Sequence, residues 1–191
     1  MIGLFGGSFD PIHLGHLIVG RSVAEALGLS ELRFMPTGEQ PLKQGRHGAS
    51  AAHRAAMVEA AIAGETGLAL ERLEVDRPGR SYTVETLRAL GAREPGQEFV
   101  VLIGADAAAD LGKWREAAAL PGLARLVAFA RAGTPPPSDP MLHRVVEAPA
   151  VEISSTAIRR RVADGRSIRY LVPDAVAEYI AAHGLYRNGL E

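Results

Sequence analysis

The stretch Gly6-Gly7-Ser8-Phe9-Asp10-Pro11-Ile12-His13-Leu14-Gly15-His16 constrains the fold of this chain more than any other. Ahead of it, Met1 to Phe5 is an apolar run with the length of a buried strand. Behind it, Leu14 to Leu29 has the period of an amphipathic helix, with Leu17, Ile18, Val23, Ala24 and Leu27 along one stripe. The chain must turn sharply between the two. Gly6 and Gly7 give the backbone freedom to do so, and Asp10-Pro11 marks the entry to the helix. A strand, a glycine turn and a helix start together aim backbone N–H groups at a phosphate.

His13 and His16 stand three residues apart at the helix start and so share a face. Gly15 between them carries no side chain, which lets a ligand approach the backbone. Two imidazoles there can donate hydrogen bonds to phosphate oxygens and stabilise charge that grows as a bond breaks. A zinc site is the weaker reading, because two ligands do not make one and the chain has no cysteine.

Composition narrows the classes. A chain of 191 residues suits one α/β domain, here taken as residues 1–191, with room for a proper core. A net charge of −1 argues against a general nucleic-acid or membrane surface, so any phosphate must meet local cations. The absence of cysteine excludes disulfides and thiol catalysis and fits a reducing compartment. No apolar run reaches ~18 residues and no basic leader precedes the first strand. A soluble, cytoplasmic protein is expected.

Further along, Glu31 to Pro36 reads as a second strand after a helix stop at Gly28, completing a βαβ unit and implying a parallel sheet. Residues 37–50 form a polar, basic loop in which Lys43 and Arg46 are candidate phosphate contacts. Ser50 caps an Ala-rich helix from Ala51 to Ala63, on which His53 reads as ordinary surface. Leu68 to Val75 alternates apolar and charged residues, the pattern of a half-exposed strand. Ser81 or Thr83 is the default N-cap for a helix from Val84 to Leu90. Glu98 to Gly104 is the most apolar strand and is placed at the centre. It ends in Gly104-Ala105-Asp106, where Asp106 either accepts a ribose hydroxyl or caps the following helix. Trp114, the single tryptophan, is either core or a stacking platform. Arg125 to Ala130 and His143 to Glu147 complete the strands, joined by an exposed proline-rich connection from Gly133 to Pro140.

The second strong signal is Ile153-Ser154-Ser155-Thr156-Ala157-Ile158-Arg159. Adjacent hydroxyl residues before a helical run read as an N-cap. Arg159, Arg160 and Arg161 then fall near a positive helix end, which is unfavourable by tenths of a kcal/mol per charge unless an anion sits there. A polyphosphate reverses that sign, and a charge-assisted bond from arginine adds roughly 1.5–3 kcal/mol.

GGSFDPIHLGH resembles the His-x-Gly-His signature of the nucleotidylyltransferase superfamily, and its full spelling resembles the bacterial nicotinate-nucleotide adenylyltransferases. The Ser-Ser-Thr-x-Ile-Arg run matches that family's second signature. Ser81-Tyr82-Thr83 and Gly104-Ala105-Asp106 followed by Lys113-Trp114 match two moderately specific motifs between them. One departure is visible: the family has Pro-His-Lys where this chain has Pro41-Leu42-Lys43, so the lysine remains and the imidazole does not.

The resemblance implies a doubly wound, Rossmann-like α/β fold with a mostly parallel sheet of five or six strands and a helical C-terminal piece. It implies transfer of AMP from ATP to nicotinate mononucleotide, giving deamido-NAD and pyrophosphate, with magnesium carried by phosphate rather than by protein ligands. By the same resemblance, His13, His16 and Arg159 are catalytic. Gly6, Gly7, Ser8, Phe9, Gly104, Asp106, Ser154, Ser155 and Thr156 join them in binding ATP. Ser8, Lys43, Thr83, Trp114 and Arg115 bind the mononucleotide, with Trp114 stacked on the pyridine ring. The partners are then ATP and nicotinate mononucleotide, without nucleic acid or membrane; the oligomeric state, a homo-oligomer included, stays open. Nicotinamide mononucleotide or phosphopantetheine as acceptor, and a non-catalytic nucleotide-binding regulator, are the alternatives. A dehydrogenase is disfavoured because no Gly-x-Gly-x-x-Gly follows the first strand.

Overall fold

Parallel pairing governs the architecture of the computed structural model, which describes residues 1–38, 48–131 and 133–187. Six strands, β1 (Ile2–Gly7), β2 (Glu31–Pro36), β3 (Leu68–Leu70), β4 (Phe99–Gly104), β5 (Arg125–Arg131) and β6 (Arg144–Ala148), form one sheet. Their order is β3-β2-β1-β4-β5-β6 and every pairing is parallel. Helices α1 (Leu14–Leu27), α2 (Ala51–Ile62), α3 (Leu73–Asp76), α4 (Thr83–Arg93), α5 (Ala105–Ala108), α6 (Ser155–Ala163) and α7 (Asp174–Ala182) supply the connections and the end piece. No helix among the described residues is long and apolar enough to cross a membrane.

Because both faces are covered, the strands read as continuous apolar runs while their side chains alternate between two cores. Phe5, Phe34, Leu102 and Val127 join Val23 of α1, Met57 and Val58 of α2, Ile158 of α6 and Val176 of α7 on one face. Leu4, Val101, Ile103 and Leu126 join Val84, Leu87 and Leu90 of α4 on the other. Each fully buried aliphatic side chain of this kind stabilises the fold by roughly 1.5–3 kcal/mol.

Three elements differ from the pattern reading. Helix α1 ends at Leu27 rather than Leu29, as the expected stop at Gly28 requires: Gly28 takes the left-handed conformation, φ 61°, and its N–H closes on the carbonyls of Ala24 and Glu25. Ile18, expected on the inner stripe, is 43% exposed. The alternation over Leu68 to Val75 yields only the three-residue β3 and then the short helix α3. Glu71 stops the strand: its carboxylate is buried, pairs with Arg93, and accepts the Leu73 N–H at 3.0 Å, turning the chain into α3. The N-cap of α4 is Tyr82, not Ser81 or Thr83, and it has no side-chain cap. Ser81 is engaged elsewhere, its Oγ accepting the Gly38 N–H at 3.3 Å.

Candidate active site

The strand order reverses between β1 and β4, and in such sheets the crevice outside the carboxyl ends at that point is where ligands bind. Gly6 and Gly7 finish β1 there, and the Thr37 N–H after β2 donates to the Gly7 carbonyl at 2.9 Å. Phe9 takes a positive φ of 47° and turns its ring inward, edge-on to Phe5, Phe34 and His16. A Cβ on Gly7 would stand 2.8 Å from that ring, so the second glycine is needed for the ring's return. Phe9 is thus a core side chain, and only its backbone is left to meet a ligand.

His13 is the N-cap of α1 and is 5% exposed. Its ring stacks on that of His16, with centroids 3.7 Å apart and planes 22° from parallel. The His13 backbone N–H donates to His16 Nδ1 at 3.3 Å, which requires a lone pair at Nδ1 and so places the His16 proton on Nε2. Burial lowers the pKa of His13 to about 4. Burial, and secondarily the charge of His13, lowers His16 to about 3. Both rings are therefore neutral near pH 7 and present N–H dipoles rather than cations. Gly15 has a different role from the one its lack of a side chain suggests. A Cβ there would press on the His13 ring at 3.0 Å and on Val151 at 3.4 Å, so the space belongs to His13, not to a ligand.

The second signature meets the first. Ser154 caps α6 by accepting the Ala157 N–H at 3.2 Å. Ser155 Oγ donates to the Pro11 carbonyl at 2.9 Å, and Arg159 Nη1 donates to the Asp10 carbonyl at 2.7 Å. Arg159 Nη2 reaches Thr156 Oγ1 at 3.3 Å, while its buried Nε has no partner among the described residues. Helix α6 is only nine residues long, so Arg160 and Arg161 lie in its last turn. Their charges face the negative helix end, the reverse of the expected penalty.

The remaining predicted contacts divide between two places. Gly104 ends β4 beside β1, and Asp106 follows it, exposed, in the first turn of α5. Thr83 opens α4, and Trp114 follows a 3-10 turn (Leu111–Lys113) with one side packed on the second core. Arg115 lies 4.6 Å over the Tyr82 ring and pairs with Glu85 at 3.0 Å. The Ser81–Gly38 bond ties this group to the loop after β2. Lys43, with Leu42, Arg46 and His47, lies outside the described residues.

Sequence reasoning missed the buried polar groups beneath the site. Arg54 is 1% exposed inside the Ala-rich helix α2 and donates to the carbonyls of Ser8 at 2.7 Å, Thr37 at 2.6 Å and Gly38 at 3.1 Å. It clamps the carboxyl ends of β1 and β2 together; leaving such carbonyls unpaired costs about 1–3 kcal/mol each. Asp10, read only as a turn marker, is 2% exposed and accepts the N–H groups of Gly48 and Ala49 and the hydroxyl of Tyr186. Glu74, whose spacing fits the resembling family, is buried too and accepts the Thr86 hydroxyl at 2.8 Å; burial pushes its carboxyl above the ordinary range. The sequence signal for Arg54 was its place three and four residues before Met57 and Val58, on the inner face of α2. Beside it His53, expected on the open surface, is half-buried with Nδ1 3.0 Å from the Tyr179 hydroxyl.

The sequence model of the cytidylyltransferase-like family matches residues 4–161. A curated relative from Roseiflexus sp. (strain RS-1), named "Probable nicotinate-nucleotide adenylyltransferase", is 47% identical, covering 97% of this chain and 98% of that protein. One of the same name from Thermus thermophilus is 46% identical over 97% of this chain and 99% of its own length. Among solved structures, the Plasmodium falciparum nicotinic acid mononucleotide adenylyltransferase complexed with NaAD superposes with a TM-score of 0.80 at 21% identity, covering all of this chain and 98% of its own. The same protein complexed with APC gives 0.78 at 20% identity, with the same coverage.

Proposed function

Because the chain belongs to the cytidylyltransferase-like family, we propose that it is a nicotinate-nucleotide adenylyltransferase. It transfers AMP from ATP to nicotinate mononucleotide, giving deamido-NAD and pyrophosphate, and residues 1–191 act as one nucleotidylyltransferase domain. The observation that supports the site assignment best is the direct bonding of Ser155 and Arg159 to the backbone of Pro11 and Asp10. Two signatures nearly 150 positions apart are thereby in direct contact, which supports their sharing a single triphosphate.

In this reading a phosphate oxygen of the mononucleotide attacks the α-phosphorus of ATP in line, and the bond to the bridging oxygen breaks as pyrophosphate leaves. The attacking oxygen is already ionised near neutral pH, so no general base is required. The protein's contribution is position and charge stabilisation. His16 offers its Nε2–H and His13 its ring N–H to the α/β-phosphate region, both without the cost of reorganising a charged imidazole. Arg159, with Ser154, Ser155 and Thr156 at the α6 start, takes the β/γ-phosphates. Gly6, Gly7, Ser8 and the Phe9 backbone line the turn, and Gly104 and Asp106 meet the ribose. Thr83, Trp114, Arg115, Ser8 and Lys43 receive the mononucleotide. Magnesium would be carried on phosphate oxygens, where it would neutralise polyphosphate charge.

The test is a comparison of acceptors with ATP and magnesium. Nicotinate mononucleotide is expected to yield a dinucleotide and stoichiometric pyrophosphate, with the amide form at least ~10-fold slower, because a carboxylate pocket leaves its donors unpaired against an amide. A chain that forms no dinucleotide from the acid, or prefers the amide or phosphopantetheine, sinks the reading.

A further inference from the structure

The C-terminal segment sends one hydroxyl back to the start of the chain. Tyr186 lies just beyond α7, has φ 64° and is buried, and its hydroxyl donates to Asp10 Oδ1 at 2.7 Å across 176 positions. Its ring lies where a Cβ on Gly48 would stand 2.9 Å away, with Arg159 Cδ at 3.1 Å, so Gly48 makes room for both side chains. The Ala49 N–H reaches the same carboxylate oxygen at 3.1 Å and the Gly48 N–H reaches Oδ2 at 2.8 Å.

These bonds engage both oxygens of the Asp10 carboxylate, whose ion pair with Arg159 is left long. The guanidinium Nη1 stands 3.9 Å from Oδ2 and bonds instead to the Asp10 carbonyl at 2.7 Å. A carboxylate released from Tyr186 would have a shorter, charge-assisted alternative, namely the guanidinium itself. That pairing would spend the positive charge that the site reserves for an anion.

We propose that Tyr186 is a positioning residue of the nucleotide site: by holding the Asp10 carboxylate it keeps Arg159 aimed and its charge available to the polyphosphate. The inference rests on the function proposed above and deepens it. Burial first, and the neighbouring Asp10 charge second, hold the phenol well above its ordinary pKa, so it remains a donor throughout the working range.

Tyr186→Phe removes the hydroxyl alone and preserves the ring. It is expected to raise the ATP KM about tenfold while leaving the KM for nicotinate mononucleotide within twofold. In an Arg159→Ala background the same substitution is expected to change the ATP constant by less than twofold, because the group it acts through is gone. The dissociation constant of ATP, measured by calorimetry on the same four proteins, gives the same cycle without turnover. If the wild type binds ATP but forms no dinucleotide, the functional reading fails and the calorimetric cycle still decides the role of Tyr186. An unchanged ATP constant in Tyr186→Phe, or a loss of similar size in both backgrounds, overturns the proposal and leaves the hydroxyl a packing contact.

Discussion

His13 and His16 are stacked face to face beneath Phe5 and Phe9, whereas Arg115 lies across Tyr82 with half of its side chain in solvent. The histidine side of the crevice is fixed by burial, a backbone-to-imidazole bond and the ties from Ser155 and Arg159. On the side proposed for the acceptor, Trp114 has one side on the core, and Arg115 is held by Tyr82 and Glu85 of the α4 start. The difference fits the roles proposed for the two sides. Dipoles that stabilise developing charge are effective only when already oriented, so their ordering is completed in folding. A pocket that admits and releases a substrate gains from side chains that rearrange at small cost.

The largest effect that bears on this contrast is expected at the rigid side. His16→Ala should reduce turnover at least ~100-fold, about 2.7 kcal/mol of barrier, with the far-ultraviolet dichroism of the folded chain retained. Near-normal pyrophosphate release in that variant would remove the histidines from the chemistry.

The next effect is thermodynamic. The ordinary histidine value is 6.5, and the folded values are about 4 for His13 and about 3 for His16. Above pH 6.5 the rings are neutral in both states and cost nothing. Below it the unfolded chain binds protons that the native rings refuse, so stability falls with acid until the folded values are reached. At pH 5.5 the loss is about 1.4 kcal/mol per ring. Urea midpoints at pH 7 and 5.5 should therefore diverge more for the wild type than for His13→Asn/His16→Asn, and equal divergence would refute the burial assignment. For the same reason kcat should show no imidazole ionisation between pH 6.5 and 8.5.

The smallest effect belongs to the open side. Arg115→Ala gives up one exposed ion pair and one cation–π contact, so unfolding stability should drop by less than ~1 kcal/mol. The KM for the mononucleotide should rise severalfold with kcat little changed. A collapse of kcat there would mean that the acceptor side is as preorganised as the histidine side.

Much of this was legible along the chain because it is local. The β1–glycine–α1 unit, the Gly28 stop, the Ser50 and Ser154 caps and the central β4 are each set by neighbours within a few positions. The parallel sheet followed from one βαβ unit. What escaped was built from distant partners: Arg54 with Ser8, Asp10 with Tyr186, Arg159 with Asp10. Periodicity puts Arg54 on the face of Met57 and Val58 but does not name the three carbonyls that it clamps. Likewise, the polar alternation of Leu68 to Val75 looked like an exposed face because the partners of Glu71 and Glu74 come from other elements. The lesson of Gly15 is similar: the missing side chain was visible, but its beneficiary was the neighbouring imidazole.

The seating of β1 against β4 carries a kinetic consequence. Ile2 pairs with Phe99, a separation of 99 − 2 = 97 positions, so the strand that leads into the phosphate turn gains that neighbour only after a long loop has closed. Closing it costs about 4 kcal/mol of chain entropy before any ladder bond repays it. Maturation of the crevice is therefore tied to the most non-local pairing of β1, and an isolated first half of the chain would carry the glycine signature without the strand that walls it.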